Sequence, residues 1–148
     1  MTKRVLIVED EIFVALEIED IVTSKGLAVS AIAADSAAAL EAAAHSDIAL
    51  VDLNLRDGAT GPTIGQVLAE QYGITVIYVT ANPAQIGEAA SAALGVITKP
   101  FRSDTIEAAL AFAARGGEND DELDYASIAG FTPFLPHRGS ASGTGYTG

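Results

Sequence analysis

The feature that most restricts how this chain can fold is an alternation, repeated five times, of a short apolar run with a segment of helical periodicity. Val5–Val8 is continuously apolar, as a strand buried on both faces must be. Glu11–Lys25 follows with Ile12, Leu16, Ile18 and Val22 at helical spacing, and Gly26 stops it. Leu27–Ala33 reads as a strand and Ser36–His45 as an Ala-rich helix capped by Asp35 or Ser36. Ile48–Leu53 is again a strand, followed by the turn-rich Arg56–Pro62 and a helix over Thr63–Tyr72 that Gly73 closes. Ile74–Val79 is the most β-branched strand, and Pro83–Leu94 reads as a helix with proline in its first turn. Gly95–Thr98 is a short strand, and Ser103–Arg115 an amphipathic helix that Ser103 is placed to cap. Such alternation implies a doubly wound (βα)5 α/β fold. Each right-handed crossover lays its helix on a parallel sheet, so both faces are covered.

Residues 1–116 therefore read as one domain, which suits a chain of 148 residues. From Gly116 the composition changes, and 117–148 reads as an acidic, Gly/Ser-rich C-terminal extension. Four of the nine aromatics (Tyr125, Phe131, Phe134 and Tyr146) lie in it, although disordered linkers are poor in rings. It is read either as a flexible end or as a segment, Leu123–Leu135, that docks on the domain or on a partner.

Composition removes several classes of function. There is no cysteine, hence no disulfide, thiolate metal site or Cys nucleophile. Residues 1–115 hold 15 acids and 7 bases, and the remainder holds 5 and 1. Without clustered Lys/Arg to displace counterions, neither nucleic acid nor an anionic membrane is an expected partner. No apolar stretch approaches the roughly 20 residues needed to span a bilayer. The start, MTKRVLIVEDE, has the pattern of neither a signal nor a transit peptide, so a cytoplasmic location is expected.

In a doubly wound sheet, ligands bind beyond the carboxyl ends of the strands. Strand one ends in Glu9, Asp10 and Glu11; strand three at Asp52, with Asn54 just past it; strand four at Thr80; strand five at Lys99-Pro100. With strand order 2-1-3-4-5, strands one, three, four and five are neighbours, and these residues share one pocket. Three carboxylates there repel one another unless a cation compensates. Mg²⁺ suits the task, because it takes one or two carboxylates together with waters and phosphate oxygens. Thr80 adds a hydroxyl and Lys99 a mobile cation, a set fitted to an incoming phosphoryl group. A carboxylate can itself accept that group covalently.

Four motifs in order, VLIVEDE (Val5–Glu11), VDLNLRDG (Val51–Gly58), YVTA (Tyr78–Ala81) and TKPF (Thr98–Phe101), make residues 3–115 resemble the receiver domains of two-component response regulators. The resemblance implies the flavodoxin-like receiver fold and the following roles. Asp52 is the phosphoacceptor. Asp10, Asp52 and the backbone carbonyl of Asn54 ligate Mg²⁺, with Glu9 acting through a water. Thr80 and Lys99 contact the phosphoryl oxygens, and the Lys99–Pro100 bond is cis. It further implies a stand-alone regulator without enzymatic turnover beyond slow loss of its own phosphate. Such a chain takes its phosphoryl group from a sensor histidine kinase or a phosphotransferase. It signals through a downstream protein partner or a phosphorelay, with a phosphate sink as the alternative and a homodimer left open. Thr75–Asn82 is loosely similar to the receivers of stress-response relays. One position departs from the pattern: many members carry an aromatic residue three positions before the lysine, where this chain has Val96, leaving the read-out to loop order, Thr80 or Tyr78.

Two other classes fit less well. A metal-dependent aspartyl-phosphate phosphohydrolase of the haloacid-dehalogenase type needs a second Asp two residues after the nucleophile, and Asn54 stands there. A flavodoxin-like cofactor protein needs a Ser/Thr/Gly phosphate loop, whereas this one reads Val8-Glu9-Asp10-Glu11. His45 and His137 are read as structural or solvated.

Overall fold

The computed structural model describes residues 2–116 and 129–134. Residues 123–128 and 135 of the Leu123–Leu135 segment, Tyr125 among them, lie outside these ranges, as do His137 and Tyr146. The elements in chain order are β1 (Arg4–Val8), α1 (Ile12–Ser24), β2 (Ala28–Ala33), α2 (Ser36–Ala42), β3 (Ile48–Val51) and α3 (Gly61–Tyr72). After these come β4 (Thr75–Thr80), a run of 3-10 turns (Pro83–Ala92), β5 (Ala93–Thr98), α4 (Ser103–Ala114) and β6 (Phe131–Pro133). The sheet order is β2-β1-β3-β4-β5-β6. The first five strands are parallel in the expected order, and β6 is antiparallel to β5.

Side chains alternate across a strand, so the central strands supply two cores at once. Val5 and Ile7 of β1 face the layer of α1 and α4, with Ile18, Val22, Ile106 and Leu110. Leu6 and Val8 face the opposite layer, with Ile64 and Leu68 of α3 and Tyr78 of β4. Every residue of β3 is buried, and each fully buried aliphatic side chain is worth about 1.5–3 kcal/mol. Helix α2 begins where Asp35 accepts the Ala38 amide at 3.0 Å, which satisfies one of the unpaired donors of its first turn.

Three expectations need correction. Pro83–Leu94 is not an α-helix. Gly87 interrupts it at φ 61° and ψ −135°, and the Ala89 carbonyl accepts a hydrogen bond from the buried Tyr78 hydroxyl at 3.2 Å. With that carbonyl engaged elsewhere and β5 already begun at Ala93, the segment closes in 3-10 turns. Ser103 does not cap α4. The N-cap is Arg102, without a side-chain capping bond. Finally, part of the range read as an extension belongs to the sheet. Phe131, 3% exposed, packs edge-on against Phe112 of α4 with ring centroids 5.6 Å apart.

Candidate functional site

The carboxyl ends of β1, β3, β4 and β5 open onto a cleft of about 370 Å³, lined by Asp10, Glu11, Asp52, Asn54, Leu55, Thr80, Ala81, Asn82 and Lys99. β1 and β3 run side by side in register from Val5–Ile48 to Val8–Val51, so the residues just past their ends, Glu9, Asp10 and Asp52, emerge together. One carboxylate oxygen from each lies within 4.8 Å of the other two. β5 delivers Lys99 from across β4, and its main-chain N–H donates to the Thr80 carbonyl at 2.9 Å.

Lys99 is the centre of the arrangement. Its Nζ donates to Glu9 Oε1 and to Asp52 Oδ2, each at 2.9 Å. Both acids are buried, Glu9 to 2% exposure and Asp52 to 8%, so a charged partner is needed to hold them. Asp52 is fixed further by the Leu53 amide, which donates to Oδ1 at 2.7 Å. Glu9 Oε2 accepts the Glu11 amide at 3.1 Å. Thr80 is 1% exposed and its hydroxyl oxygen accepts the Asn82 amide at 3.1 Å.

Burial pushes the Glu9 carboxyl up to about 7, with the nearby Asp52 charge adding and the Lys99 hydrogen bond opposing. Burial acts to lower the Lys99 ammonium, but its hydrogen bonds to Glu9 and Asp52 outweigh that and hold it above its ordinary value. A single ammonium thus serves a pocket with an excess of negative charge. Asp10 is exposed and, among the described residues, makes no side-chain hydrogen bond or ion pair. Two buried, oriented carboxylates and one free carboxylate, all oxygen donors, fit a hard divalent cation such as Mg²⁺.

The structure brings together Glu9, Asp10, Asp52, Thr80 and Lys99, and it places Asn54 on the rim. The Lys99–Pro100 peptide is cis. Val96 is a core residue of β5, 3% exposed. Tyr78 is fully buried, with its hydroxyl held by the Ala89 carbonyl and, at 3.4 Å, by that of Pro62. Asn82 and Gln85 were not legible as site residues. The Asn54 and Gln85 side-chain amides bond reciprocally at 2.8 and 3.2 Å across the rim, joining the loops after β3 and β4.

A five-stranded parallel core with an acid cluster, a threonine and a lysine at its strand ends defines the receiver class of two-component signalling. Residues 5–111 match the family described as response regulator receiver domain, and the chain belongs to that family. Among curated proteins it is 30% identical over 118 residues to the phyllosphere-induced regulator PhyR of Methylorubrum extorquens, covering 76% of this chain and 44% of that protein. The chain thus spans less than half the length of this relative. Among solved structures it is similar to the receiver domain of Erythrobacter litoralis PhyR, with a TM-score of 0.70 and 28% identity, covering 83% of this chain and 97% of that one. It is also similar to the anti-anti-sigma factor PhyR of Bartonella quintana, with a TM-score of 0.63 and 28% identity, covering 78% and 50% respectively.

Proposed function

We propose that Asp52 accepts a phosphoryl group, with Mg²⁺ held by Asp10, Asp52 and the Asn54 carbonyl and with Glu9 acting through a bound water. The observation that carries this reading is the Lys99 ammonium poised on Asp52 Oδ2 beside the unpartnered Asp10 carboxylate. A carboxylate nucleophile needs its charge and that of the incoming group compensated on both sides, by a cation and a mobile ammonium. Mg²⁺ supplies charge neutralisation of the transferred group. The chain's own residues do the rest. Leu53 N–H orients Asp52, Lys99 holds the phosphoryl oxygens, and the Thr80 hydroxyl, buried at the end of β4, donates to one of them.

The phosphodonor is a histidine kinase or a phosphotransferase. Its docking surface is the start of α1, where Ile12, Phe13 and Leu16 are 55%, 84% and 45% exposed immediately after the acidic loop. Exposed large apolar residues gathered on one turn mark contact surfaces. Output passes through phosphorylation-dependent binding of a protein partner or onward relay in a PhyR-like circuit. Phosphotransfer profiling against a panel of purified histidine kinases tests this. Mg²⁺-dependent labelling of the wild type and none of Asp52→Ala is expected, and a labelled Asp52→Ala would overturn the assignment.

A further inference from the structure

β6 is an added edge strand with a narrow tolerance for its neighbour. The Phe134 amide donates to the Leu94 carbonyl at 2.7 Å and the Thr98 amide to the Gly130 carbonyl at 2.9 Å. Antiparallel pairs alternate between bonded and non-bonded, so the intervening Gly95–Pro133 pair is non-bonded and the proline nitrogen lies on the outer edge. A Cβ on Gly95 would stand 2.5 Å from the Thr132 carbonyl oxygen and 2.8 Å from the Phe131 ring, so β6 can approach only because that position is glycine. The strand is three residues long, and a further tie is the Thr105 hydroxyl donating to the Ala129 carbonyl at 2.9 Å. β6 is also wired to the acid pocket. Thr132 pairs with Val96, the position where the usual aromatic gate is missing. Thr98, which holds Gly130, immediately precedes Lys99, whose amide is bonded to Thr80.

We propose that β6 is a detachable strand, docked on the β5 edge in the resting chain and released when the acid pocket is loaded. This inference rests on the phosphoacceptor reading above. A group bound to Asp52 draws the Lys99 ammonium and the Thr80 hydroxyl away from their resting partners, and β5, which leads directly into Lys99, carries the paired edge on which β6 docks. The resting geometry is the one β6 fits, with no spare space at Gly95, so displacement of the β5 carboxyl end weakens its hold. Because a ligand shifts an equilibrium only through differential affinity, loading and docking must oppose each other reciprocally. Release bares the edge amides of β5, a surface for an extended strand of another chain.

Amide hydrogen exchange on the full chain tests this, with Mg²⁺ and beryllofluoride as the probe and the fluorine resonance of bound beryllofluoride reporting loading. Exchange at Phe134 and Thr98 is expected to accelerate about tenfold on loading, with Ile74 unchanged as a control. Gly95→Ala should accelerate the same two amides without the probe and tighten beryllofluoride binding. Loading with unchanged or slower exchange at Phe134 and Thr98, or an equal affinity in Gly95→Ala, would overturn the coupling. Absence of loading would overturn the phosphoacceptor reading and the coupling with it.

Discussion

Replacing Glu9 by Gln in metal-free buffer isolates the cost of crowding charge at the β1 end. The Glu9 carboxyl is pushed from 4.5 to about 7, with burial as the leading cause. A raised acid pKa means that the folded chain holds the proton more tightly than the unfolded one. Its contribution to stability is therefore complete below pH 4.5 and is lost as pH rises through about 7. At 1.36 kcal/mol per pKa unit, an ionised Glu9 costs the fold on the order of 3 kcal/mol at pH 8. Glutamine has nearly the shape of the protonated acid and can still accept the Lys99 hydrogen bond. Glu9→Gln should thus match the wild type near pH 4.5 and exceed it by about 3 kcal/mol at pH 8, a rise of roughly 6–12 °C in Tm for a chain of this size. Thermal or urea unfolding across pH 4.5–8 reads this directly, and added Mg²⁺ should narrow the gap by stabilising the wild type. A variant less stable than the wild type at pH 8, or with an undiminished pH slope, would refute desolvation as the dominant force on Glu9.

Three further outcomes follow from other parts of the molecule. Gly65→Ala puts a methyl group onto the Tyr78 hydroxyl, so denaturant unfolding should show a loss of about 1–3 kcal/mol despite the better helix former. The loss should persist in a Tyr78→Phe background, because the ring carbons 2.7 Å from the new methyl group remain in place. Asp47 accepts the Arg4 amide at 2.8 Å, and that bond holds its carboxyl below the ordinary value. Its support is present above pH 3.8 and lost as pH falls through the lower folded value, so Asp47→Ala should cost about 0.5 kcal/mol at pH 7 after allowing for solvent screening. The difference should vanish in acid unfolding curves below that value. Phe13→Ser should leave Tm within about 1 °C while slowing kinase-to-chain phosphotransfer about tenfold, as removal of an exposed contact anchor does.

The parts of this fold that were legible are those decided by local burial. β1 and β3 are continuous apolar runs because both of their faces are covered, and Val5 to Val8 could hardly be anything else. The cleft was legible for a related reason: parallel strands in this order bring the ends of β1, β3, β4 and β5 to one place, so naming those ends named the residues gathered around it. The misread elements depend on distant partners. Pro83–Ala92 has helical periodicity, yet the Ala89 carbonyl is claimed by Tyr78, eleven residues earlier. β6 contains a proline and lies beyond an acidic run, and only its pairing with Gly95–Ile97 makes it a strand. The Asn54–Gln85 pair joins two exposed amides on separate loops, and nothing in their local sequence marks them as partners.

The sheet that partitions the interior also partitions the consequences of change. Side chains of the α1/α4 layer and of the α2/α3 layer touch different faces of the same strands, so substitutions in the two layers should combine additively in stability. One layer can be rebuilt to suit a new binding partner while the other keeps its packing. Only at the strand ends, where Glu9, Asp52 and Lys99 are bound together, does a change on either side register on both.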